Sequence, residues 1–351
     1  MDIGQRGAGH ADAEQAASVR RSWVRVAVRG VIIAAAVGVL WWVVVQAIGH
    51  EALPRLREAT AGQIGAFAAL SVATVAINGL IFWMTLLPVR RLRLIDVQAT
   101  NALATLSAVV PFKFSLLVRV LVHRRRDGLP LLVIGAWFAA MGVIVVAAPA
   151  PVLGGAWARG GLDFTAIAIA AAGASVVTAL LVLGARWFRG EQGLARLARW
   201  ADALRLGVVR RAVRTEAFAN LHSGFLILSD GRVVGVTMLL RLVDLAVQAA
   251  RFQVVAHVLG HPLGASEAML LALAFFMIGV MSPVMVGVRE GGVAKLAAII
   301  GMGGAEIGPV LAVAVAAGEG VVNLVLGALG LAWIGPGVFR GERAGDGRAR
   351  G

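Results

Sequence analysis

The sequence contains no cysteine and no tyrosine, and acidic residues are scarce. Without cysteine there are no disulfides, thiolate metal sites or cysteine nucleophiles. Without tyrosine, the aromatic belt of a membrane protein falls to tryptophan. Charge of either sign is thin: 15% of the 351 residues are Asp, Glu, Lys or Arg. Hydrocarbon fills the remainder, with 59% hydrophobic residues and a mean hydropathy of +0.85. Several apolar runs approach the roughly 20 residues that cross a bilayer core. These features predict an all-α polytopic membrane protein. The formal net charge of +14 would suggest nucleic acid in a soluble chain. In a membrane chain, excess Lys and Arg sit in cytoplasmic loops, so no nucleic-acid partner is expected.

Residues 1–25 read as a disordered cytoplasmic N-terminus, 26–335 as the membrane domain and 336–351 as a disordered cytoplasmic tail. The run Val31–Ile48 follows Arg20, Arg21, Arg25 and Arg29 and reads as an uncleaved first span, with Trp41 and Trp42 in its outer half. The second span covers about Ile64 to Leu87 and stops at Pro88, before Arg90, Arg91 and Arg93. Pro130 to Pro149 leads outward, Pro149, Pro151 and Gly154-Gly155 read as an outer loop, and Phe164 to Ala185 returns. The segment 186–214 carries eight arginines against Glu191 and Asp202. Its Leu194, Leu197, Ala198, Ala201, Leu204 and Val208 recur at helical spacing. It reads as a basic amphipathic helix on anionic inner-leaflet lipid, each basic residue gaining on the order of 1 kcal/mol. A plain solvated connector is the alternative. Val233–Leu259 leads outward again, and Ile307–Ile334 is the last, inward span.

Two apolar stretches are broken. In the first, Val97–Val122, Pro111 and Lys113 interrupt the middle. Proline there removes a helix hydrogen bond and clashes with the preceding turn. A full crossing would put Arg124, Arg125 and Arg126 outside, against the positive-inside rule. A hairpin that enters from the cytoplasm and returns resolves both conflicts. The second break runs from Ser282 to Gly292 through Pro283, Gly287, Arg289, Glu290 and Gly291. A hairpin from the outer face keeps Arg340, Arg343, Arg348 and Arg350 inside. The expected architecture is therefore about six full transmembrane helices plus two oppositely oriented re-entrant hairpins, with both termini cytoplasmic. Paired discontinuous helices point to a transporter site near the midplane. Lys113, Arg119 and Arg289 would bring full charges to that site, and helix N-termini partial ones, suited to a phosphate.

Pro283 with Gly287-Val288-Arg289-Glu290-Gly291 resembles the second-half signature of the lysylphosphatidylglycerol synthase transmembrane family, a flippase-like domain. Asn101, Pro111, Lys113, Ser115 and Arg119 resemble its first-half signature. The resemblance runs from about Ile64 to Ile334. It implies a polytopic bacterial-type inner-membrane protein that handles aminoacylated phosphatidylglycerol, another anionic phospholipid or an isoprenoid-linked lipid. Val284 and Met285 stand where the family usually has glycines, and Leu116 where it often has an acid; both make the site more apolar. Larger family members carry a soluble aminoacyltransferase domain. This chain ends at Gly351 shortly after the last span, so aminoacyl transfer is not expected.

Other candidates are weaker. Arg241 and Asp244 are three apart on one helix face and read as a structural pair or part of the site. Glu319, between Gly318 and Gly320, reads as a helix-packing or cavity residue. Glu290 reads as a cation-binding or coupling carboxylate, or as the ion-pair partner of Arg289. His257 and His261 lack a third ligand, so no metal is expected. No cofactor or catalytic constellation is expected either. The expected function is a lipid flippase or transporter; the alternative is a non-transporting subunit that presents lipid to an envelope-modifying enzyme. A second copy or such an enzyme is the candidate protein partner.

Overall fold

The computed structural model describes Trp41, residues 54–109, 114–203, 207, 215, 218, 222, 224–282, 287–300, 307–335 and 338. The first span, both terminal segments, Pro111, Lys113, Pro283 and part of 204–214 lie outside these. Among the described residues all regular structure is helical.

The chain enters through a short 3-10 turn, Pro54–Glu58, into α1 (Ala61–Leu86). The broken stretch follows as α2 (Leu94–Leu106), a 3-10 turn (Ser107–Val109) and α3 (Phe114–Arg125). Next come α4 (Leu131–Ala147), α5 (Pro149–Arg159), α6 (Phe164–Phe188), α7 (Gly190–Ala203) and α8 (Gly224–Leu228). The second half is α9 (Gly231–Val258), α10 (Ala265–Met281), α11 (Val288–Ile299) and α12 (Ile307–Ile334). Five helical stretches among the described residues are long and apolar enough to cross a membrane: Ala61–Leu86, Leu131–Arg159, Phe164–Phe188, Gly231–Val258 and Ile307–Ile334. Their outward faces stay apolar, with Ile167, Leu180 and Leu183 on α6 and Val321, Leu324 and Leu329 on α12 exposed. In water such faces would be costly; in lipid they are the solvated surface.

One expectation is corrected here. Pro149, Pro151 and Gly154-Gly155 do not form a loop; they belong to α5, which runs straight on from α4. Pro149 is the first residue of that helix, where its missing N–H and fixed φ do no harm. The chain turns only at Gly160, whose φ of +67° suits glycine. Asp163 then starts α6 by accepting the Ala166 N–H at 2.6 Å. That bond, helped by Arg159, holds the exposed Asp163 carboxyl below the usual carboxylate range.

Hydrogen bonds identify the two ends of the bundle. At one end, Asp96 at the start of α2 accepts from Arg126 just past α3 (2.7 Å) and from Trp333 at the end of α12 (2.9 Å). Arg125 donates to the Val338 carbonyl (3.0 Å) and Arg186 to the Ser229 carbonyl (3.1 Å). Arg90, Arg91 and Arg93 join α1 to this same end. At the opposite end, Arg55 donates to the Leu259 carbonyl (2.7 Å) and Ser266 accepts from Leu162 N–H (2.7 Å). The basic clusters thus gather at one end.

Neither α2 nor α3 alone has the length of a full span. At 1.5 Å per residue, the 13 residues of α2 and 12 of α3 reach only about 20 and 18 Å, against a hydrocarbon core of roughly 30 Å. The start of α2 and the end of α3 meet at the basic end through Asp96 and Arg126. The pair α10 and α11 also packs together, with α10 starting at the opposite end beside Leu162. Both broken units lean on α12. Near one end of α12, a methyl group added to Gly330 would lie 2.5 Å from the Ala99 carbonyl of α2. Near the other, one added to Gly308 would lie 2.7 Å from the Ala294 carbonyl of α11. Only glycine permits such backbone contact.

Candidate functional site

Asp244 stands halfway along α9 and Glu319 halfway along α12, so polar groups collect where a membrane is most apolar. They border a cavity of about 530 Å³. The stretches flanking both breaks reach it: Ala108 and Ser115 from the first, Val280 and Arg289 from the second. Asn78 of α1, Asn101 of α2 and Arg119 of α3 complete its polar lining with Arg241, Gln248 and Arg251 of α9.

Each arginine is held differently. Arg119 donates Nη2 to Asn101 Oδ1 at 2.7 Å and lies over the Phe82 ring at 4.4 Å. Asn101 is itself fixed, donating Nδ2 to the Val75 carbonyl at 2.8 Å. Arg241 donates Nη1 to Asp244 at 2.7 Å and to Asn78 at 3.0 Å. Gln248 adds a bond to the same Asp244 oxygen at 2.9 Å. Arg251, 1% exposed, has Nη1 3.5 Å from Glu319. Arg289 lies over the Phe275 ring at 3.7 Å, with Nη1 3.6 Å from Glu319 and Nε and Nη2 both 3.2 Å from Glu290.

Glu290, expected at the ligand, does not border the cavity. Its Oε2 accepts the Gly287 N–H at 2.6 Å and its Oε1 takes Arg289, so it orders the start of α11 and braces the arginine. Gly287, at φ +86°, makes the turn that brings its amide onto Glu290. Neither Gly287 nor Gly291 borders the cavity. The α11 N-terminus therefore spends one of its amides on its own carboxylate rather than on a ligand.

Among the described residues, four guanidinium groups meet three carboxylates, leaving one net positive charge. Several donors remain unspent: Arg119 Nε, Arg241 Nε and Arg251 Nε are buried without a hydrogen-bond partner. A buried donor left unsatisfied is costly, which suits a site that receives an acceptor. No group of three or more His, Cys, Asp or Glu side chains is placed to hold a metal among the described residues.

Arg119 and Arg289, expected from the sequence at the substrate site, line this cavity together with the hairpin residue Ser115 and the secondary candidates Asn101, Arg241, Asp244 and Glu319. Asn78, Gln248 and Arg251 join them without having stood out in the sequence. A signal was present: Arg241, Asp244, Gln248 and Arg251 follow at spacings of three and four, one face of a helix. Ser71, Thr74 and Asn78 do the same on α1, and all three line the cavity. Comparison with family models, characterised proteins and solved structures gives no match to the chain.

Proposed function

We propose that this protein is a membrane lipid flippase or transporter whose cavity takes the phosphate of an anionic or aminoacylated phospholipid, or of an isoprenoid-linked lipid. The carrying observation is the surplus of buried arginine donors around one cavity halfway through an apolar bundle. Intramembrane ionisable groups of this kind mark substrate paths, and arginine matches phosphate geometry. The two broken units act as re-entrant hairpins from opposite faces, and about six spans surround them. The arginine-rich end faces the cytoplasm of a bacterial-type inner membrane, and α7 rests on anionic lipid there. The likeness of both motifs to the lysylphosphatidylglycerol synthase transmembrane family agrees with this assignment.

The test is translocation of a fluorescent phosphatidylglycerol in proteoliposomes. Arg119→Gln should slow it about tenfold, the effect of one charge-assisted hydrogen bond. An unchanged rate in folded protein counts against the proposal.

Topology is tested separately. In this cysteine-free chain, single cysteines at Arg91 and Arg124 should react with an impermeant thiol reagent from one side of the membrane. Cysteines at Gly264 and Gly303 should react from the other. Labelling of Arg91 and Arg124 from opposite sides would mean that α2 and α3 form a full crossing.

A second reading, a subunit presenting lipid to an envelope-modifying enzyme, draws on the clamp of Asp96 by Arg126 and Trp333, which suits a static groove. Mass spectrometry of lipids modified only when the partner is present would favour it.

A further inference from the structure

The two carboxylates that line the cavity, Asp244 and Glu319, and Glu290 behind Arg289 are not equivalent. Asp244 is closed on its cation, its Oδ2 taking Arg241 at 2.7 Å and Gln248 at 2.9 Å while Oδ1 accepts from Asn78 at 3.4 Å. Glu290 is saturated by the Gly287 amide and Arg289. Glu319 alone stands between two cations without closing on either. Its Oε2 is 3.5 Å from Arg251 Nη1 and 3.6 Å from Arg289 Nη1, and that oxygen closes no short hydrogen bond. Charge-assisted hydrogen bonds of this type close to roughly 2.7–2.9 Å. The carboxylate also meets Asn323, one turn along α12.

We infer that Glu319 is an exchangeable internal anion, holding Arg251 and Arg289 until the acidic group of a ligand displaces it. The inference rests on the reading of this cavity as a phosphate site. Arg251 Nε and Nη1 are buried and unbonded, and they belong to the guanidinium that faces Glu319. An arriving phosphate oxygen gives Arg251 and Arg289 the short bonds that the carboxylate does not. The one net positive charge left among the described residues matches a singly charged phosphodiester headgroup. Two further anionic charges would leave the cavity net negative. Exchange also gives the ligand a way out: Glu319 returns to the arginines as the phosphate leaves, so the cations never face each other bare.

Binding of fluorescent phosphatidylglycerol to the full chain in uncharged nanodiscs, and its translocation in proteoliposomes, tests this. Glu319→Gln removes the competing charge but keeps the shape. It should bind the lipid about tenfold more tightly and release it more slowly, so that translocation falls. A merely structural carboxylate would lower both together, and equal or weaker binding by folded Glu319→Gln overturns the inference. Should Gln not fold, Glu319→Asp, which withdraws the carboxylate by one methylene, carries the same expectation of tighter binding. Titration with inorganic phosphate is the second arm. Protection by phosphate alone equal to that by lipid would keep the exchange and overturn the lipid as its source. Absence of binding by either probe to wild type would overturn the phosphate site itself.

Discussion

Arg289→Ala should nearly abolish lipid translocation and destabilise the protein at once. The guanidinium serves Glu290 twice at 3.2 Å, sits 3.6 Å from Glu319 and covers the Phe275 ring. Its removal leaves Glu290 with only the Gly287 amide, and Glu319 with Arg251 as its one facing cation beside Asn323. Stripping one partner from a buried ion pair costs on the order of 3–5 kcal/mol, because the survivor keeps its desolvation penalty. Translocation loses the charge-assisted phosphate contact offered by Nη1 as well, a factor of about 10 to 100 per folded molecule. Arg289→Lys separates these losses. It restores a charge to Glu290 and much of the stability, but one compact ammonium cannot hold Glu290 and also reach the ligand as Nη1 does, so transport should recover less than stability does. Thermal unfolding in detergent and translocation normalised to folded protein measure the two. Recovery of transport by Lys to the wild-type rate would mean that arginine acts only as a point charge.

The second large effect is expected at Asp244. This carboxylate is fully buried and neutralises Arg241, which is 3% exposed. Asp244→Ala should destabilise by about 3–5 kcal/mol, since Arg241 keeps only Asn78 and the face of Phe276. The double variant Arg241→Met with Asp244→Leu is the informative one. A buried ion pair exchanged for hydrocarbon of similar volume is often neutral in stability. Because both residues line the cavity, the double variant should regain the fold and fail to transport. Regained transport would assign the pair a structural role alone.

The long helices were legible in the sequence because length and composition suffice for them. The apolar runs beginning near Ile64, Phe164, Val233 and Ile307 became α1, α6, α9 and α12 with ends shifted by a few residues. The two breaks were legible through proline and charge in places where a helix tolerates neither. The α5 segment is hidden in the sequence because Pro149 and Pro151 have the look of turn formers. Proline serves equally well in the first turn of a helix, and only neighbours in space decide between the two. The site was half legible. Charge inside a span is conspicuous, so Arg119, Arg241, Asp244, Arg289 and Glu319 stood out. Asn78 and Gln248 did not, because an isolated amide in an apolar run passes for packing until the facing helix is known. The orientation of Glu290 was beyond the sequence. Whether a carboxylate braces its neighbour or meets a ligand depends on the turn at Gly287, a matter of backbone angle.

The backbone contacts at Gly308 and Gly330 give α12 a mechanical character. It touches one broken unit near its start and the other near its end, with no side chain between to absorb slack. A close-packed joint of this kind transmits displacement rather than damping it. Twisting of α12 about its own axis would drag α2 and α11 together, and Glu319 midway along the shaft would sweep past Arg251 and Arg289 in the same stroke. Chain movement and charge exchange would then be one event, geared through a single helix.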